Sequence, residues 1–194
     1  AEEGRILNGS QQGLDLIAKV LVDQGDEVLV ESPSYLAALQ CFGFFEPRFH
    51  PLSMDDDGVC VRELDDALRS AVPKLFYAIP NFQNPSGISY SLERRRETAR
   101  LIAGSSTVLV EDDPYGEIRF MGEHLPSIRA LLCETGSADS SVLLGTFSKI
   151  VSPGMRLGWI VAGREIMEAL VVAKQAADLH SNELTQRIVH RYLC

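Results

Sequence analysis

The stretch KLFYAIPNFQNPSGISYSLERRRETARLIAGSSTVLVEDDPY, Lys74 to Tyr115, decides the fold class. Lys74–Ile79 reads as a strand, Pro80–Gly87 as a loop and Leu92–Ala103 as a basic-faced helix. Thr107–Val110 reads as a second strand, ending in Glu111-Asp112-Asp113-Pro114-Tyr115. Strand, helix and strand make a βαβ unit with parallel strands, and the crossover helix covers one face of the sheet.

The same alternation runs outward on both sides. Upstream, Arg5–Leu7 reads as a short strand. Asn8-Gly9-Ser10 then reads as a cap for a helix carrying Leu14, Ile17, Ala18 and Leu21 on one face. Asp26–Glu31 is a buried strand, and Ser32-Pro33-Ser34 a turn opening a helix over Tyr35–Phe42. Pro47–Leu52 is extended, Met54–Gly58 is a turn, and Arg62–Ala71 carries Leu64, Ala67, Leu68 and Ala71 at helical spacing. Downstream, Ser141–Leu144 is a strand ending in Gly145-Thr146-Phe147-Ser148-Lys149, and Leu157–Ala162 is another. A long helix from Ile166 is expected to bend near His180-Ser181-Asn182. The expected fold is α/β: three layers, αβα, around a mainly parallel sheet. With 194 residues and no visible linker, residues 1–194 read as one domain.

Composition removes several functions. Hydrophobic residues make up 45% and charged residues 23%, as in ordinary globular proteins. The net charge of −9 argues against a nucleic-acid-binding face. It also means that a bound phosphate needs local donors, because the overall field repels it. No apolar run reaches the ~18–20 residues of a membrane span. Cys41, Cys60, Cys133 and Cys194 form no CxxC pair and no Cys/His cluster, so no metal site is expected. They read as reduced thiols of a cytoplasmic protein, three of them as buried filler.

The polar clusters fall where such sheets bind ligands, outside the carboxyl ends of the strands. They are Asn8-Gly9-Ser10, Ser32–Tyr35, Asn81–Gly87, Asp112–Tyr115 and Thr146–Lys149. No GxSxG, HExxH, Walker A or GxGxxG is present, which removes the common hydrolase, zincin and nucleotide motifs. Serine–lysine hydrolases favour S-x-x-K spacing, whereas Ser148 directly precedes Lys149. Taken singly, Lys149 and Arg156 are surface cations, Asp112 a turn residue and Tyr35 a core residue.

Their order along the chain is more specific. The N-P-S-G loop at Asn84–Gly87, the D-x-x-Y step from Asp112 to Tyr115 and the T-x-S-K…R-x-G run from Thr146 to Gly158 lie in one sequence. Together they resemble the large domain of fold-type-I, pyridoxal-phosphate-dependent aminotransferases of class I/II. The resemblance runs from Asn8 to about Gln186. The segments NGSQQGLDL, ESPSY, PNFQNPSG, EDDPY and GTFSKIVSPGMRLGW are most similar to the branch of 2-aminoadipate-type aminotransferases and aminotransferase-like effector domains of winged-helix regulators.

That resemblance implies a cofactor, pyridoxal 5′-phosphate, and a role for each residue. Lys149 is implied to bond covalently to the cofactor aldehyde and then to carry the α-proton. Asp112, rather than Asp113, is implied to keep the pyridine nitrogen protonated. Tyr115 and Asn84 are implied to hydrogen-bond the ring's phenolic oxygen, and Tyr35 to stack on the ring. Ser10 with the Gln11 and Gln12 amides is implied to hold the phosphate at a helix N-terminus, completed by Thr146, Ser148 and Arg156.

The implied reaction is transfer of an amino group between an amino acid and a 2-oxo acid, in a homodimer. Two other activities use the same cofactor residues: a ligand-sensing domain of a transcription regulator, and a carbon–sulfur lyase. The family's N-terminal segment and C-terminal small domain, which carries the arginine for the substrate carboxylate, are expected to lie outside Ala1–Cys194. The crevice is therefore expected to be open and some apolar surface exposed.

Overall fold

The computed structural model describes residues 3–194. One eight-stranded sheet runs through it in the order β1-β8-β7-β6-β5-β2-β3-β4. The strands are β1 (Glu3–Leu7), β2 (Glu27–Ser32), β3 (Arg48–Asp55), β4 (Gly58–Val59), β5 (Leu75–Ala78), β6 (Val108–Asp113), β7 (Ser141–Thr146) and β8 (Gly158–Ala162). The five inner strands, β7-β6-β5-β2-β3, are parallel. The edges are antiparallel: β8 against β7, β1 against β8, and the short β4 against β3.

The described residues form seven α-helices: α1 (Ser10–Leu21), α2 (Leu36–Gly43), α3 (Val61–Ser70), α4 (Leu92–Ala103), α5 (Ile128–Glu134), α6 (Arg164–Asp178) and α7 (Glu183–Leu193). Alternation along the strands divides the core. Val28, Val30, Leu75, Tyr77 and Val110 face α1, α2 and α6. Leu29, Phe76, Ala78 and Leu109 face α3, α4 and α5. Strands β2, β5 and β6 are therefore apolar on both faces, which makes their runs near-continuous in sequence. The expected three-layer αβα order is the observed one.

Several expectations are corrected. Asn8-Gly9-Ser10 provides no side-chain cap: Gly9 is the N-cap and Ser10 already lies in the helix. The MDDDG turn is shorter than expected, because β3 continues to Asp55 and pairs with β4 in a hairpin. The final helix breaks rather than bends. Leu179 takes φ 62°, and Asn182 accepts a hydrogen bond from Thr185 N at 3.0 Å to start α7. Helix α5 has no counterpart in the sequence reading. The basic face of α4 is not wholly solvated: Arg95 is fully buried and donates to the carbonyls of Pro80, Tyr90 and Pro126 and to Asn81 Oδ1. No cysteine is buried; Cys41 and Cys60 are half-buried, and Cys133 and Cys194 are exposed. Among the described residues no helix is long and apolar enough to cross a membrane, and no metal-ligating cluster occurs.

Helix α5 is placed by a buried carboxylate. Glu111, near the end of β6, is fully buried and accepts from Ile128 N at 2.9 Å and Arg129 N at 2.8 Å. Those amides are the unpaired donors of the helix start. Burial pushes the Glu111 carboxyl up to about 7, and the two amides and Arg95 offset this only in part. A carboxyl with a raised folded-state pKa favours folding while it is protonated. Its contribution is lost as pH rises from about 4.5 to about 7. That shift corresponds to about 3 kcal/mol. Urea titrations of Glu111→Gln at pH 4.5 and pH 7.5 are therefore expected to show a smaller loss of stability with rising pH than the parent chain. An unchanged slope would remove Glu111 as its source.

Candidate active site

The carboxyl ends of β2, β5, β6 and β7 open into one cavity of about 400 Å³. Its wall includes Ser10, Gln11, Tyr35, Asn84, Asp112, Tyr115, Thr146, Ser148, Lys149 and Arg156. All five polar clusters of the sequence contribute to it. Ile79, Pro114 and Pro153 add to the lining.

Asp112 forms the floor. It alternates out of β6 onto the face opposite Glu111 and is 3% exposed. Tyr77, two strand positions before Ile79, donates its hydroxyl to Asp112 Oδ2 at 2.8 Å. Asp112 Oδ1 is buried and has no hydrogen-bond partner among the described residues. Leaving a buried carboxylate oxygen unmatched is costly, and such an atom at a cavity wall marks the place of a donor. Burial pushes the Asp112 carboxyl up to about 6, the Tyr77 bond opposes this, and neighbouring Asp113 adds to it. Asp113 points elsewhere. It accepts from Gly116 N at 2.9 Å and holds the turn after β6.

Tyr35 and Asn84 enter from opposite sides of a reversal in strand order. After β2 the chain moves outward to β3, and after β5 it moves the other way to β6. The loops after β2 and β5 therefore diverge and leave a crevice between them. Tyr35, the N-cap residue of α2, stands half-buried there. Burial and then nearby Asp112 raise its hydroxyl pKa.

Lys149 lies opposite, in the turn after β7. It forms no hydrogen bond or ion pair among the described residues, and its Nζ is 5.8 Å from the centre of the Tyr115 ring. Its turn is tightly held: Phe147 N donates to Leu157 O at 3.0 Å, and Ser148 N to Thr146 Oγ1 at 3.1 Å.

The end of the cavity beside β1 and β8 is built from close backbone approach. Helix α1 starts at Gly9 without a side-chain cap, so its first amides stay open toward the cavity. A Cβ on Gly158 would fall 2.7 Å from Ser10 N and 2.8 Å from Gly9 C, and one on Gly9 2.7 Å from Arg156 Nη2. Arg156 takes the left-handed conformation, φ 51°, uncommon for a residue with a side chain. Its guanidinium thus stands over the start of α1, beside Ser10 and Ser148. Open amides, a positive helix end and a guanidinium suit an anion.

Of the residues expected from sequence, the structure brings together all but one. Gln12 is directed away. Its backbone N–H donates to Gly9 O at 3.2 Å and its side chain to Asp178 Oδ2 at 2.6 Å, so neither is open to the cavity. Gln11 lines the cavity, but its side-chain amide donates to Cys41 Sγ at 3.1 Å. Sequence reasoning missed Tyr77, Glu31 and Gln83. Tyr77 looks like any aromatic strand residue, and its hydroxyl partner lies 35 positions away.

Comparison with known proteins agrees with this geometry. The family model for aminotransferase class I and II matches residues 5–194. The chain is 42% identical to aromatic-amino-acid aminotransferase 1 of Thermococcus litoralis, over 96% of this chain and 45% of that one. It is also 42% identical to the 2-aminoadipate transaminase of Thermus thermophilus, over 99% of this chain and 48% of the relative. Among solved structures, LysN, the α-aminoadipate aminotransferase of Thermus thermophilus complexed with N-(5′-phosphopyridoxyl)-L-leucine, superposes with a TM-score of 0.95. It is 41% identical, over 98% of this chain and 49% of that one. The chain thus spans about half the length of the curated relatives it matches. A match along 190 residues, on a sheet whose carboxyl edge gathers Asp112, Lys149 and Arg156 around one cavity, makes this chain a member of the class I and II aminotransferase family.

Proposed function

We propose that this chain is the cofactor-binding large domain of a pyridoxal-phosphate-dependent aminotransferase that moves an amino group between an amino acid and a 2-oxo acid. The observation that carries the proposal is the unpartnered Asp112 Oδ1, buried at the floor of a cavity with Lys149 on its wall. The donor set fits pyridoxal 5′-phosphate at both ends: a buried carboxylate for a ring N–H, and an open helix start with Arg156 for a phosphate. Bound there, the cofactor supplies an aldehyde and an electron-accepting ring.

The chain's own residues do the rest. Asp112 Oδ1 would accept the ring N–H, while the Tyr77 hydroxyl satisfies its other oxygen and so helps keep the carboxylate charged against the cost of burial. Tyr115 Oη and Asn84 Nδ2, both at the cavity wall, would donate to the ring's phenolic oxygen. The Tyr35 ring would cover one face of the cofactor. Ser10, Ser148, the amides at the start of α1 and the Arg156 fork would hold the phosphate, with Thr146 fixing the Ser148 amide from behind. Lys149 Nζ is the cavity amine that would hold the cofactor at its aldehyde carbon, and as a free amine it would take a proton from the substrate α-carbon and return it. An amine without an ion pair is free to do so. Four free cysteines agree with a cytoplasmic protein. A homodimer agrees with the exposure of Leu36, next to Tyr35, and of Phe44 at the other end of α2.

Borohydride treatment of the chain loaded with pyridoxal phosphate is expected to fix the cofactor to Lys149. Peptide mapping checks this, and a label on any other residue would overturn the assignment. Asp112 and Asp113 are separated by turnover in the parent protein carrying this chain. Asp112→Ala is expected to lower kcat by about 10²–10³-fold, the usual range for losing one electrostatic support at a reacting centre. Asp113→Ala loosens only the turn at Gly116 and is expected to be far milder. A reversed order would move the ring-nitrogen contact to Asp113.

A further inference from the structure

Glu31 lies outside the cavity wall, one residue before the end of β2, and is 1% exposed. Both of its oxygens are in use. Oε1 accepts from Ile79 N at 3.1 Å and from the Tyr90 hydroxyl at 2.7 Å, and Oε2 from Gln83 Nε2 at 3.0 Å. All three donors belong to the segment that leaves β5, passes the cavity at Asn84 and returns toward α4.

Gln83 continues the connection. Its Nε2 also donates to Pro33 O at 2.7 Å, and its Oε1 accepts from Ser86 N at 2.8 Å and Ser86 Oγ at 2.6 Å. Its backbone joins too: Gln83 N donates to Ile88 O at 2.8 Å, and Gly87 N to Gln83 O at 2.6 Å. Asn84 is therefore held on both sides by bonds that converge on the Gln83 side chain. The other end of the network, Glu31 through Pro33, leads within two residues to Tyr35.

We infer that Glu31 is a positioning residue: acting through Gln83, it fixes Asn84 against Tyr35 across the crevice between β2 and β5. The inference rests on the proposed function, because Asn84 is the group it aims at the ring's phenolic oxygen. A carboxylate suits the task because it only accepts. Each of its three donors finds an oxygen without competition, whereas an amide would set its own N–H groups against one of them. Burial makes this acceptor expensive and pushes its pKa up to about 7, with Asp112 adding to the shift and Tyr90 and Gln83 opposing it. An apolar side chain would fill the same place at lower cost. It would remove one of the four hydrogen bonds that hold the Gln83 side chain.

The test compares Glu31→Gln, Gln83→Leu and Tyr90→Phe in the chain loaded with pyridoxal phosphate. Tyr90→Phe removes a bond to the same carboxylate but leaves the Gln83 arm in place, so it reports the purely structural share. Two readouts are needed. The first is the pH midpoint of the bound cofactor's visible band, which a donor to the phenolic oxygen lowers. Glu31→Gln and Gln83→Leu are expected to raise it, by a threefold to tenfold change in proton affinity, and Tyr90→Phe to leave it in place. The second is amide hydrogen exchange in the cofactor-free chain, where Ser86 and Gly87 are expected to exchange at least tenfold faster in the first two variants only. Should Glu31→Gln fail to fold, Gln83→Leu alone decides both readouts. Equal midpoints in all variants, or a shift in Tyr90→Phe as large as in Glu31→Gln, would overturn the positioning role and leave the proposed function standing. Absence of any visible band in the parent chain would instead overturn the proposed function, and this inference with it.

Discussion

Three carboxylates taken out of water at one edge of the sheet organise the loops around the cavity. Glu31, Glu111 and Asp112 are each 3% exposed or less, at the carboxyl ends of β2 and β6. A buried carboxylate is tolerable only when donors come to it. Glu31 draws in Ile79, Gln83 and Tyr90 and so determines the course of the loop that carries Asn84. Glu111 draws in the first amides of α5. Asp112 draws in the Tyr77 hydroxyl on one oxygen and keeps the other open. Two of the three are fully satisfied and serve as anchors. The third is satisfied by half, and it is the one of the three that lines the cavity.

The opposite end of the cavity meets a different constraint. The chain carries a net charge of −9, so an anion is attracted only by what stands close to it. Closeness here depends on glycine. Gly158 lets β8 approach the backbone at the start of α1, and Gly9 leaves room for the Arg156 guanidinium above it. Gly145 leaves its face to the Trp159 ring, which any Cβ would strike at 2.2 Å. Side chains at these positions would push the helix start, the arginine and the strand pair apart.

The architecture was legible from sequence because a parallel sheet covered on both faces demands apolar strands and intervening helices, and both leave local patterns. The cavity residues were legible because each follows a strand in a short polar cluster. What escaped was non-local. Helix α5 has only seven residues, too few for a clear apolar stripe, and it is placed by Glu111 from a distant strand. Arg95 sits among arginines that suggest a solvated face, and only the carbonyls of Pro80, Tyr90 and Pro126 explain its burial. Gln12 follows Gln11 in the first turn of α1, and nothing local says that Asp178, 166 positions on, takes its side chain. The cysteines were misjudged because burial preference is a property of the residue type, while burial is a property of the site.

Strand direction explains why one edge collects so much. In the parallel block, the carboxyl ends of β2, β5, β6 and β7 lie together by construction. Strand β8 runs antiparallel to β7, so the residues before it, Arg156 and Leu157, come to that same edge. Strand β1 is antiparallel to β8 in turn, hence parallel to β7, and its end at Leu7 delivers Gly9 and Ser10 there as well. Two successive reversals thus bring a strand start and a helix start against the turn that carries Lys149. A wholly parallel β8 would have placed Arg156 at the far end of the sheet, roughly a strand length away, ~17 Å for five residues. The antiparallel edge is what joins an anion cradle to a cavity whose floor is Asp112.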